Sequence, residues 1–236
     1  MTRDNRQTEQ PPPRTSGLRR GSGQKMKNWI MAVRPKTLWA AGAPVIMGTA
    51  LAYADGGFDA LPALAALTGA LLIQIGANIW NDYGDSLRGA DDEHRDGPIR
   101  ITQTGEIPTV TVRNMGLLAF ALAVIPGLYL LFHAGWPVAA IGVTSIAAGL
   151  WYTGGRRPLA YIGMGEPFVL IFFGPVAVGG TYYVQCLQIN MTVLLMGLVP
   201  GLLSVAILAV NNYRDMEGDR RVGKHTLAVR FGPRFA

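Results

Sequence analysis

Asn78-Ile79-Trp80-Asn81-Asp82-Tyr83-Gly84-Asp85-Ser86-Leu87-Arg88-Gly89-Ala90-Asp91-Asp92 follows directly on Leu61 to Ile79, an apolar run long enough to enter a bilayer. Amides and carboxylates at the end of such a run are costly to place there, which points to function. A second stretch has the same form: Asn211-Asn212-Tyr213-Arg214-Asp215-Met216-Glu217-Gly218-Asp219. Both contain Asn-x-x-x-Asp, both close an apolar run, and both have an arginine nearby.

Working outward, the chain has 236 residues, half of them hydrophobic and only 15% charged. A soluble domain has about 25% charged residues. The apolar residues come in six blocks, Leu38–Ala54, Leu61–Trp80, Met115–Phe132, Val138–Tyr152, Phe168–Gln185 and Val193–Val210. A membrane helix needs about 20 residues, and the fourth block is the shortest of the six. The fold class predicted is all-α, a multi-spanning membrane helix bundle. Pro44, Pro126, Pro175 and Pro200 are expected to kink these helices. Residues 1–26 are polar, Arg- and Pro-rich, and are read as a disordered cytoplasmic tail. The single cysteine, Cys186, excludes an internal disulfide and is read as a packing residue.

The net charge of +6 is explained by topology, and no nucleic-acid partner is expected. Every Lys and Arg falls in one of four segments: before the first block, between the second and third, between the fourth and fifth, or after the sixth. The other three gaps hold none. By the positive-inside rule, the N-terminus, both acidic stretches and the end of the sixth span lie on the cytoplasmic side of the cell inner membrane.

Residues four apart share a helix face, so Asn81 and Asp85 point together, as do Asn211, Asp215 and Asp219. Carboxylate and amide oxygens are hard ligands that suit Mg2+, which binds through one or two carboxylates plus substrate phosphates. Two facing clusters of this kind would hold one diphosphate. Asp92, Glu93, Asp96 and Glu217 read better as solvated loop charges, and Asp82 and Asp91 stand between the two readings.

These residues carry a resemblance. Asn81-Asp82-Tyr83-Gly84-Asp85 with Gly89-Ala90-Asp91, then Asp215-Met216-Glu217-Gly218-Asp219, resembles the paired motifs of the UbiA superfamily of intramembrane prenyltransferases. Its menaquinone branch, the 1,4-dihydroxy-2-naphthoate polyprenyltransferases, is the most similar. Arg34-Pro35-Lys36-Thr37-Leu38, Gly97-Pro98-Ile99-Arg100, Arg157-Pro158-Leu159-Ala160-Tyr161 and Gly223-Lys224-His225-Thr226 also resemble that branch. Gly89 stands where the wider superfamily has an acid, and the branch shares that shift to Asp91. The resemblance covers residues 27–236 and implies a fold of about nine membrane helices, so a domain incomplete at its C-terminus, with six present, is expected.

The resemblance implies transfer of a polyprenyl chain from a polyprenyl diphosphate to an aromatic acceptor, dihydroxynaphthoate, with loss of CO2 and diphosphate. Asp85, Asp215 and Asp219 are the implied catalytic acids. Asn81, Asp85, Asp91, Asn211, Asp215 and Asp219 are the implied Mg2+ ligands, and Lys36, Arg157 and Lys224 the diphosphate-binding residues. Tyr83 and Tyr152 are candidates for the prenyl or acceptor pocket, with Trp80, Phe168 and Phe172 as further π-faces for an allylic cation. Three rivals stand beside this reading: the same fold with another acceptor such as 4-hydroxybenzoate, a cation transporter, and an inactive membrane fragment. Transporters place their carboxylates near the bilayer midplane, whereas these lie at one surface.

Overall fold

A computed structural model describes residues 22–89, 100–103 and 105–233. The regular elements are helices: α1 Ser22–Val33, α2 Pro35–Ala54, α3 Ala60–Ser86, α4 Thr109–Ala134, α5 Trp136–Thr153, α6 Gly165–Ile171, α7 Ala177–Cys186, α8 Met191–Arg214, α9 Met216–Arg221 and α10 Leu227–Phe231. Among the described residues, five helical stretches are long and apolar enough to cross a membrane: Met26–Ala54, Ala60–Ser86, Thr109–Ala134, Gly165–Cys186 and Met191–Arg214. The sixth expected span, α5, has 18 residues rising about 27 Å and is not among these five. Leu202, Leu203 and Val210 on α8 are exposed and do not line the central cavity, as suits a bilayer-facing surface.

One boundary differs from expectation. Helix α1 begins at Ser22, inside the segment read as tail, and Ala32 on it is buried against Ile79, Ile101, Ile107 and Val112. Its Asn28 is buried and donates to Glu106 Oε2 at 2.6 Å, which ties α1 to the loop after the first motif. Pro44, Pro126 and Pro200 sit inside continuous helices, and Pro175 accompanies a break, a π-turn over Phe172–Val176 joining α6 to α7.

The break has a packing partner. Gly174 within it has non-helical backbone angles (φ −114°, ψ −113°), and α8 meets it with Gly197-x-x-x-Gly201. A methyl on Gly197 would lie 2.8 Å from Pro175 Cα, and one on Gly201 2.7 Å from the Leu170 carbonyl oxygen. Small residues four apart let two backbones touch in a membrane, where van der Waals contact drives association. Gly201→Ala is expected to destabilise the fold by about 1–3 kcal/mol, since overpacking forces backbone shifts. A lowered unfolding temperature in detergent checks this.

At the end of the bundle away from the acidic motifs, short loops are capped. The side chains of Asp59 and Asn190 accept from the backbone N–H of Leu61 and Val193, and Tyr182 donates to Asp55 Oδ2 at 2.6 Å. Helix α3 packs most extensively on α4 and also meets α2, α5 and α7. It therefore forms one wall of a central cavity. Ala66, Gly69, Ala70, Ile73, Ala77, Asn81 and Asp85 line that wall at three- and four-residue spacing, one stripe of a helix.

Candidate active site

The cavity measures about 1220 Å³ and is lined by α2, α3, α4, α5, α6, α7 and α8. Most of its wall is aliphatic, with Phe168 and Phe172 stacked at 5.9 Å. One end is polar, where Asn81, Asp82 and Asp85 from α3 meet Asn211, Asn212 and Asp215 from α8. Lys36 and Lys224 line the same end, joined by Arg34, Arg100 and Arg214.

The acids are held by specific partners. Asp85 is 2% exposed, and its two oxygens are divided between Arg100 and Tyr161, whose hydroxyl donates at 2.9 Å. Asp82, 1% exposed, pairs with Arg34 and lies 3.7 Å from Arg100 Nε. Arg34 holds a left-handed backbone (φ 52°, ψ 68°) at the α1–α2 junction, and its carbonyl accepts from the Thr37 hydroxyl at 2.9 Å. An arginine at positive φ is uncommon and persists where surrounding structure fixes it. Asn78, one turn before Asp82, is fixed by donating to the Val33 carbonyl and to Thr37 Oγ1 at 2.8 and 2.9 Å. Asn81 accepts from Thr153 Oγ1 at 3.0 Å, which joins α3 to the end of α5.

The second motif bends at Asp215, where α8 ends and α9 begins. Asp215 pairs with Arg214, with a closest approach of 2.7 Å. Asp219 sits in α9 with Oδ1 3.4 Å from Lys224 Nζ. Its Oδ2 is buried with no hydrogen-bond partner among the described residues. Burial pushes the Asp219 carboxyl above the ordinary carboxylate range, Lys224 opposes this, and Asp215 and Asp85 add to the rise. Burial and then Asp85 push the Tyr161 phenol up, so it remains a donor. Asn212 donates to the buried Glu166 at 2.9 Å and so fastens α8 to the start of α6.

The structure brings together most of the sequence-predicted site. Asn81, Asp85, Asn211, Asp215, Lys36, Lys224 and Tyr152 all line the cavity. Asp219 reaches its edge through Lys224. Two candidates lie elsewhere. Arg157 is exposed beside Trp151 and Arg156, outside the cavity, and its carbonyl accepts from Trp151 Nε1 at 3.0 Å. Tyr83 points away from the cavity and packs on Trp80 at 5.2 Å and on the Ile79–Ile101 cluster. Trp80 is held by the Leu150 carbonyl at 2.9 Å and is not a wall residue. Asp91 lies outside the described residues. Arg34, Arg100 and Tyr161 acquire site contacts that no spacing rule anticipates.

Whether the site suits a divalent cation can be judged from its donors. They are carboxylate and amide oxygens, and one carboxylate oxygen, Asp219 Oδ2, is buried and unpartnered among the described residues. Among those residues no three acidic, His or Cys side chains stand close enough to hold an ion alone. That pattern fits Mg2+, which takes few protein ligands and completes its shell with phosphate oxygens and water.

Fold and site together define a multi-pass membrane protein with an acidic-and-basic cluster at the mouth of a long apolar cavity. This arrangement suits an amphiphile with an anionic head and a hydrocarbon tail. Residues 41–236 match the model of the UbiA prenyltransferase family, and the chain belongs to that family. It is 42% identical over 210 residues to "1,4-dihydroxy-2-naphthoate octaprenyltransferase" of Escherichia coli (strain K12), covering 86% of this chain and 68% of that protein. It is 42% identical over 205 residues to the identically named protein of Mycobacterium tuberculosis, covering 86% and 70%. With that of Bacillus subtilis it shares 36% over 231 residues, covering 98% and 73%.

Proposed function

We propose that the chain transfers a polyprenyl group from an allylic diphosphate to 1,4-dihydroxy-2-naphthoate, with Mg2+ at the acidic end of the cavity. One observation carries this reading: two Asn-x-x-x-Asp motifs from different helices line the same polar end of one apolar cavity. The names of the relatives supply the acceptor.

Asn81, Asp85, Asn211, Asp215 and Asp219 hold the metal–diphosphate group, with Asp91 retained from the family pattern. Mg2+ held by these residues would supply charge neutralisation to the leaving diphosphate. Lys36 and Lys224 take up remaining phosphate charge, and Arg34 and Arg100 lie within the same field. The Phe168–Phe172 stack and Tyr152 offer π-faces to the allylic carbon and exclude water. The new C–C bond forms at the ring carbon bearing the carboxylate. Loss of CO2 returns the electron pair of the broken C–C bond to the ring, so no ring proton needs a base. The product is the prenylated dihydroxynaphthalene, the reduced form of demethylmenaquinone.

The tail lies along the aliphatic wall. Gly127 on α4 lines the cavity, and a Cβ there would meet nothing within 4 Å. Gly127→Phe therefore fits the protein and fills the cavity. It is expected to raise KM for a long-chain diphosphate roughly tenfold, the cost of about 1.4 kcal/mol of lost burial, and to leave farnesyl diphosphate nearly unchanged. Paired KM measurements check it.

The deciding assay uses membranes holding the chain, the naphthoate, a polyprenyl diphosphate and Mg2+. A prenylated naphthalene product with release of CO2 is expected. Product from 4-hydroxybenzoate and none from the naphthoate overturns the acceptor. The distribution of basic residues supports the reading that the active site faces the cytoplasm. Cysteine labelling that puts Gly89 and Gly218 on opposite faces overturns that orientation.

A further inference from the structure

Tyr161 belongs to neither acidic motif and does not line the cavity, yet it touches both halves of the site. It sits in the short turn Leu159–Ile162 between α5 and α6 and is 7% exposed. Its hydroxyl donates to Asp85 Oδ1 at 2.9 Å. Its ring centroid is 5.1 Å from the Arg88 guanidinium carbon and 5.6 Å from Lys224 Nζ. Its carbonyl accepts from the backbone N–H of His225 at 3.1 Å, the residue following Lys224. Lys224 in turn is bound to Asp219 twice, by its ammonium at 3.4 Å and by its backbone N–H to the Asp219 carbonyl at 2.8 Å.

Arg88 makes the base of this arrangement rigid. It donates to the carbonyls of Gly84, Thr153 and Gly155 at 3.1, 2.6 and 2.6 Å, so it clamps the ends of α3 and α5 together beside the Tyr161 ring. The two ends carry Asp85 and Thr153, and Thr153 holds Asn81. Asp85 is thus fixed on both oxygens, Oδ2 by Arg100 and Oδ1 by Tyr161. A carboxylate held on both oxygens cannot rotate, and a cation held at an aromatic face keeps a defined place.

We infer that Tyr161 is a positioning residue that couples the two acidic motifs: its hydroxyl sets the orientation of Asp85, and its ring sets the place of Lys224 beside Asp219. The inference rests on the reading that these motifs together hold a metal and a diphosphate. The hydroxyl and the ring act on different partners, so two variants separate them. Tyr161→Phe keeps the ring and removes the hydroxyl. Tyr161→Leu removes both.

The test is Mn2+ binding to the detergent-purified chain, read by electron paramagnetic resonance with and without inorganic pyrophosphate, together with KM for the prenyl diphosphate. Tyr161→Phe is expected to raise the Mn2+ concentration for half-saturation about tenfold, as loss of a partner to a metal ligand does, with KM unchanged at saturating metal. Tyr161→Leu is expected to add a rise in KM and a loss of the pyrophosphate enhancement. Wild-type Mn2+ affinity in Tyr161→Phe overturns the inference, whether or not its unfolding temperature falls. If the unaltered chain binds no Mn2+ in the presence of pyrophosphate, the underlying reading fails and this inference fails with it.

Discussion

Asp85→Asn is expected to lower prenyl transfer by about 10²–10³-fold, the usual loss when one group stabilising transition-state charge is removed. The side chain keeps its shape and loses its charge, so the effect reports on charge at the mouth of the cavity. Asp85→Ala should do more, because it also breaks a buried pair. Arg100 is 9% exposed and would lose Asp85 as its partner. Removing one member of such a pair costs about 3–5 kcal/mol. The nearness of Asp82, 3.7 Å from Arg100 Nε, should keep the cost at the lower end. Fold and chemistry are separated by Asp85→Leu combined with Arg100→Met. Apolar residues in place of a buried ion pair are often neutral for stability, so the double variant should regain the unfolding temperature lost by Asp85→Ala. It should not regain activity. Recovery of both would mean that Asp85 serves the fold alone.

Much of this site was legible from helix geometry. Asn81 and Asp85 are four residues apart, and both line the cavity. The same rule accounts for the place of Tyr83. Two residues beyond Asn81 on a helix is roughly the opposite face, and Tyr83 packs there, against Trp80. The placement of all basic residues in alternate gaps anticipated that both motifs would meet at one end. What was not legible depends on contacts between distant segments. Arg157 opens a stretch that resembles the family, but sequence does not determine which way a loop side chain turns, and it is exposed. Arg100 and Tyr161 reach Asp85 across 15 and 76 residues, and nothing in local spacing records either pairing. Helix α1 is not legible as an apolar run because its inward contacts are few: the buried Asn28 and Ala32 and the partly buried Trp29.

Asp219→Asn is the second substitution with a large expected effect, and pH separates it from the first. Burial raises the Asp219 carboxyl above its ordinary 3.8, so its proton is held more tightly in the folded chain than in the unfolded one. For folding the sign is fixed: where the folded state binds more protons, stability falls as pH rises, between the unfolded value and the raised folded value. For ligand binding the sign is opposite. A cation needs the ionised carboxylate, and the proton competes for it. Mn2+ binding with pyrophosphate should therefore weaken as pH falls through the raised Asp219 value, above the range where an ordinary aspartate would titrate. Lys224, 3.4 Å away, lowers that value, so Lys224→Met should move the acid limb to higher pH. Asp219→Asn should lower turnover by about 10²-fold, the lower end of the loss from removing one stabilising group. It should also abolish the limb assigned to Asp219. A limb that persists unchanged in Asp219→Asn would assign the titration to another acid and leave the buried Oδ2 of Asp219 without a role in holding the cation.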